Sequence, residues 1–164
     1  MTDPAGRDLS HVNAKGILQM VDVGDKPISD RRATATGKIL MEVSTLKAIQ
    51  DNTLKKGDVL STARIAGIMA AKRTADLIPL CHGLTLSDVQ VEFKLDDSLP
   101  GVVVEASVRT AAQTGVEMEA LTAVTVALLT VYDMAKAVDR AMRITDVVLR
   151  EKRGGTKGDY IADP

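Results

Sequence analysis

The chain has 164 residues, of which 45% are hydrophobic and 26% charged, and its formal net charge is −1. This balance excludes a disordered segment and provides no global basic field for nucleic acid, although local basic pockets remain open. With no Trp, two Tyr and one Phe, the core of what the length suggests is one domain must be aliphatic. The single cysteine, Cys81, excludes an internal disulfide. No apolar run reads as a membrane span, and the polar opening residues lack the apolar segment of a signal peptide. The expectation is a soluble, cytoplasmic protein with neither membrane nor nucleic-acid partners.

Residues 1–8 read as a flexible arm, and 9–164 as a single domain ending in a Gly-rich tail. A short extended segment over 19–23 precedes a turn at Gly24, Asp25 and Pro27. Small and β-branched residues over 32–41 predict a strand, and Ser44 reads as the N-cap of a short helix ending near Asp51. Lys56-Gly57-Asp58 breaks the pattern, and Asp58 is placed to cap a second helix running to about Thr74. The stretch from Ile78 to Gly83 is a loop around Pro79. Val89, Val91, Phe93 and Leu95 alternate as in a half-buried strand. Leu99-Pro100-Gly101 then turns the chain into a partner strand over 102–110. A long helix is predicted over 116–142 and a last strand over 144–149. From residue 32 the order is β, α in two pieces, β, β, α, β: an α+β, ferredoxin-like pattern with helices on one face of an antiparallel sheet. That fold alone names no function.

The long helix carries the most informative charges. Its middle, 120–131, is nearly all Ala, Val, Leu and Thr, so it is buried on more than one side. Asp133 and Lys136 stand three apart and share a face with Arg140. That spacing fits a solvated ion pair as well as an acid/base pair in a cleft. Glu117 and Glu119 open the same helix, where the dipole alone favours acids. Glu119 and Asp133 lie about 20 Å apart at 1.5 Å rise per residue. If both serve one small substrate, the site must be assembled from two subunits.

Cys81 and His82 with His11 are too few for a zinc site, so no metal is expected; a loop imidazole suits proton donation or phosphate contact better. Lys56 adjoins the start of a helix, where a phosphate finds backbone N–H groups. Lys152, Arg153 and the glycines after them have the character of a phosphate-contacting loop, but not the Walker spacing. From residue types alone the chain is an oligomeric α+β protein with several anion pockets.

Several segments taken together add a resemblance. They include Leu9-Ser10-His11-Val12-Asn13, Lys56-Gly57-Asp58-Val59 and Asp76-Leu77-Ile78-Pro79-Leu80-Cys81-His82. Thr114-Gly115-Val116-Glu117-Met118-Glu119 and Tyr132-Asp133-Met134-Ala135-Lys136 complete the set. In this order they resemble the molybdenum cofactor biosynthesis protein C family, the cyclic pyranopterin monophosphate synthases, over nearly the whole chain. The resemblance implies a lyase that rearranges the 3′,8-cyclised dihydro-GTP into cyclic pyranopterin monophosphate and releases pyrophosphate. It implies a homohexamer, a trimer of dimers, with interfacial sites, and a pathway link to a radical GTP cyclase. It implies no resident cofactor beyond magnesium that the triphosphate could carry.

Matched position by position, the resemblance implies catalytic roles for Asp133, Lys136 and Lys56. It implies substrate contact by Leu80, Cys81, His82, Met118 and Glu119, and a lining role for Arg31, Arg73, Glu117 and Lys152. A tuned Asp133/Lys136 pair would serve proton transfers, and Lys56 with His82 would handle phosphate. Gly83, Ala135, Gln113 and Thr156 depart from the commonest family pattern. An RNA-binding sheet and a regulatory ligand-binding domain are the rival readings. The first lacks aromatic platforms, since Phe93 alone falls in a predicted strand.

Overall fold

The computed structural model describes residues 11–12, 16–155 and 158–162; the arm over 1–8 and the departure at Thr156 lie outside them. The first strand, β1 (Ser29–Leu40), forms because small residues alternate along it. Ala33, Ala35 and Ile39 face the core, and Thr34, Thr36 and Lys38 point to the other side. Gly37 sits in the same buried row. A Cβ there would lie 2.8 Å from both Val124 Cγ1 and Leu128 Cδ1 of the helix above, so its absence sets how closely that helix approaches.

After β1 come α1 (Val43–Gln50), α2 (Val59–Ala71) and the single turn α3 (Thr74–Leu77). The hairpin β2 (Asp88–Asp96) and β3 (Gly101–Ala112) follows, then α4 (Glu117–Ala135), β4 (Arg143–Arg153) and β5 (Tyr160–Ile161). The sheet order is β2-β3-β1-β4-β5, and every pairing is antiparallel. β1 is central, with Ala35 opposite Ala106 of β3 and Leu149 of β4. α2 and α4 pack on one face, which is the expected ferredoxin-like α+β arrangement. The core is aliphatic: Ile39, Val91, Val104, Val108, Val124, Leu128 and Val131 are fully buried or nearly so.

Several boundaries differ from the sequence expectation, each for a local reason. Glu42, not Ser44, is the N-cap of α1, and no side chain caps it. Asp58 does cap α2, its carboxylate accepting the Ser61 N–H at 2.9 Å. α2 stops at Ala71, and the buried hydroxyl of Thr74, the first residue of α3, donates to the Ala71 carbonyl at 3.0 Å. α4 ends at Ala135 rather than near 142. There the chain turns, Val138 and Asp139 both donating to the Ala135 carbonyl, so Arg140 leaves the helical stripe. Residues 19–23 form no regular strand, and β4 extends to Arg153 with β5 paired along it.

By length and hydropathy α4 could cross a membrane, which qualifies the expectation that no run is long enough. Its Ala120, Val124, Ala127, Leu128 and Val131 are nevertheless enclosed by the sheet and α2, as in the core helix of a folded domain.

Candidate active site

Two charged regions stand at the two ends of α4. At its C-terminal end Asp133 meets two lysines. Lys136, the C-cap residue one turn on, places Nζ 2.7 Å from Asp133 Oδ1. Lys56 arrives from the α1–α2 connection and donates to Asp133 Oδ2 and to the Asp133 backbone carbonyl, both at 2.8 Å. The three residues expected to react together are thus brought together, from segments 77 residues apart in sequence.

The cluster is about half exposed, so its ion pairs are screened and contribute little to folding. Its electrostatics still have a direction. Hydrogen bonds and charge from Lys136 and Lys56 lower the Asp133 carboxyl to about 2, and Asp133 in turn raises Lys136. In this free state the pair is tuned away from neutrality. The lysines hold Asp133 ionised near pH 7, and Asp133 holds Lys136 protonated.

At the N-terminal end of α4 lies a cleft of about 360 Å³. Leu80, Cys81 and His82 of the loop after α3 line it together with Glu117, Met118 and Glu119 of the first helical turn. Glu119 is only 3% exposed, and burial and then the neighbouring Glu117 push its carboxyl up. Burial, Glu119 and Glu117 likewise raise Cys81, which makes the thiol a poor nucleophile near neutrality. At Gly83 a Cβ would meet only Ala75, at 4.0 Å, so no close neighbour requires a glycine there.

A second cleft of about 180 Å³ adjoins the first and shares Lys26, Thr114, Gly115 and Glu117 with it. Arg31, Arg32, Lys152 and Arg153 make it basic. Lys152 pairs with Glu117 at 3.2 Å. Arg31 is committed to the backbone, donating to the carbonyls of Ala112, Gln113 and Gly154 at 3.2–3.3 Å. Gly154 has a φ of +88°, and a Cβ there would run into the Asp30 carbonyl oxygen, so glycine lets the tail lie on this clamp. Gln113, another departure, donates to the Gly24 carbonyl at 2.8 Å.

Arg73 joins neither region. It is exposed at the end of α2, beside a groove lined by Ala66, Met69, Leu77 and Val126. Lys26 and Arg32 line the clefts without having been singled out from the sequence, because an isolated cation by a turn or on a strand forms no pattern. Among the described residues no three His, Cys, Asp or Glu side chains converge as a metal cage. Phe93 packs against the core and so offers no open platform for a base.

The fold and its charged clefts define a class: a ferredoxin-like α+β protein with pockets suited to a small anionic molecule. Sequence comparison makes the class specific. The profile of the MoaC family matches residues 20–155. The chain is 58% identical over 158 residues to the cyclic pyranopterin monophosphate synthase of Parvibaculum lavamentivorans, covering 96% of this chain and 99% of that protein. It is 60% identical over 156 residues to the protein of the same name from a Methylobacterium species, covering 95% and 98%. The chain belongs to the MoaC family.

Proposed function

We propose that this chain is a cyclic pyranopterin monophosphate synthase, a lyase of molybdenum cofactor biosynthesis that converts the 3′,8-cyclised dihydro-GTP to cyclic pyranopterin monophosphate and pyrophosphate. The observation that carries this reading is the near full-length identity to two relatives of that name. The Lys56–Asp133–Lys136 cluster supplies the chemistry. A ring-opening and ring-closing sequence needs proton transfer, and closure of the cyclic phosphate forms one P–O bond while the bond to pyrophosphate breaks.

An anionic substrate competes with Asp133 for the two lysines. Once Lys56 and Lys136 turn to phosphate or substrate oxygens, the Asp133 carboxyl rises from about 2 and becomes a usable base. The lysines then stabilise the charge that accumulates on the departing pyrophosphate. In the clefts at the other end, His82, Glu117, Met118 and Glu119 shape the pocket for the ring system with Leu80 and Cys81. The basic cleft of Lys152, lined by Arg31, suits phosphate, with any magnesium carried in by the triphosphate itself.

One site requires two chains on this reading. Glu119 and Asp133 are fourteen positions apart on a straight helix, about 21 Å by its rise. Ile65 and Met69 of α2, Leu77 of α3 and Leu129 of α4 are more than half exposed, an apolar face suited to a second copy. Arg73 stands on that face. The assembly proposed is a homohexamer built as a trimer of dimers, with Arg73 reaching the neighbouring subunit's site. The compartment proposed is the cytoplasm, and substrate comes from a radical GTP cyclase.

Mass spectrometry of the purified protein with the cyclised dihydro-GTP tests the function. Equal appearance of pyranopterin and pyrophosphate is expected. Binding without either product would overturn the assignment as an enzyme.

A further inference from the structure

Asp139 is a buried acid that none of the chemistry above uses; its relative exposure is 6%. A carboxylate taken out of water must be hydrogen-bonded to be tolerated, and both oxygens of this one are. Oδ2 accepts the backbone N–H of Glu42 at 2.9 Å, and Oδ1 accepts that of Ala141 at 2.9 Å. Glu42 begins α1, which has no side-chain cap of its own, so the negative charge also stands at the favourable end of that helix's dipole.

The two segments joined in this way are those that build the reacting cluster. α4 carries Asp133 and ends in the C-cap Lys136, three residues before Asp139. α1 leads into the connection that carries Lys56. Little direct packing joins α1 to α4. Within the turn after α4, the Tyr132 hydroxyl donates to the Arg140 carbonyl at 3.2 Å and the Val138 and Asp139 N–H groups donate to the Ala135 carbonyl, ties that all return to α4 itself; just beyond it, β4 pairs Arg143 with Leu40 of β1. The Asp139 carboxylate therefore bridges the end of one element to the start of the other, while Lys56 and Lys136 converge on Asp133 at 2.7–2.8 Å.

We propose that Asp139 is a positioning residue, which holds Lys56, Asp133 and Lys136 in one cluster by tying the end of α4 to the start of α1. The inference rests on reading those three residues as the reacting cluster. Displacement of a reacting group by about 1 Å is enough to cost on the order of a hundredfold in rate.

The test uses the full-length protein as Asp139→Ala, with Asp139→Asn beside it. Two quantities are read: the Asp133 carboxyl titration by ¹³C NMR, and steady-state turnover of the cyclised dihydro-GTP. In Asp139→Ala the Asp133 carboxyl is expected to rise from about 2 toward the ordinary 3.8. Turnover should fall about tenfold or more while KM stays within about twofold. Asp139→Asn keeps one of the two acceptors and should lie between the native and Ala proteins; it carries both readouts if the Ala protein does not fold. A folded variant with native Asp133 titration and native turnover overturns the proposal. If the native protein makes no pyranopterin but the titration still moves, the positioning role stands and the assigned reaction fails.

Discussion

The substitution Asp133→Asn separates the two jobs proposed for this residue, proton transfer and holding the two lysines. In the native chain the carboxylate sits 2.7 Å from one ammonium and 2.8 Å from another. The amide has nearly the same shape but neither the charge nor the capacity to take a proton. As a lost proton-transfer group, Asp133 should cost about 10²- to 10⁴-fold in kcat. Its effect on binding has the opposite sign. The lysines are freed from their intramolecular partner, so an anionic substrate no longer competes with it, and KM should stay level or fall. The pH profile carries a third signature. Asp133 holds Lys136 above its ordinary value, so in Asp133→Asn any alkaline limb due to Lys136 must move to lower pH. Steady-state kinetics with the cyclised dihydro-GTP over a range of pH measure all three. A variant with kcat within about threefold of native would refute the proton-transfer role. A KM that rises while kcat holds would mean that the carboxylate only positions the lysines.

Further outcomes follow from the same geometry. Lys56→Ala mixed with Glu119→Gln, each inactive alone, should recover up to about one quarter of native activity if every site draws one end from each of two subunits; sites contained in one chain would recover none. Glu119→Gln alone should raise the melting temperature at pH 7. The native acid is pushed up by burial, so folding loses stability as pH rises through its folded-state value; the advantage of Gln should shrink below the ordinary 4.5, and a gain that grows toward acid would contradict this. Gly37→Ala should destabilise by about 1–3 kcal/mol, because the new methyl would press on Val124, Leu128 and Val147, and urea unfolding measures it. KM should increase with ionic strength, since the Lys56–Asp133–Lys136 cluster is half exposed and its field is screened by salt.

The ferredoxin-like order was legible because its signals are local and periodic. Alternation in Val89, Val91, Phe93 and Leu95 marks β2, and the Asp58 cap marks α2. The end of α4 was hidden for the opposite reason. Residues 136–142 are compatible with helix taken alone, but the chain turns after Ala135, and the Asp139 carboxylate accepts an N–H from Glu42, 97 residues away, a contact no local pattern announces. The tail strand β5 has only two residues, too short a run to show alternation, and pairs with Glu151 and Lys152 of β4. The cluster residues could be named from motif resemblance, but spacing alone could not bring Lys56 to Asp133. Lys26 and Arg32 had no sequence signal at all; only the fold places them beside Glu117 and Lys152.

The free protein's charge arrangement explains why such a cluster does not waste its chemistry. Left alone, Asp133 neutralises the lysines and the lysines keep Asp133 ionised, so neither is poised to move protons at pH 7. The same exposure that makes the ion pairs weak makes them exchangeable, because a multiply charged phosphate can replace one carboxylate at small cost. At the far end the order is reversed. Glu119 is buried and reluctant to ionise, within a cleft framed by the aliphatic Leu80 and Leu84, a setting for a flat, uncharged ring. α4 keeps the two environments apart as a rigid spacer of nineteen residues. Because the basic cleft of Lys152 and Arg153 adjoins that ring pocket, a triphosphate attached to a purine-derived ring lies between this cleft and a lysine cluster, provided a second subunit brings that cluster alongside.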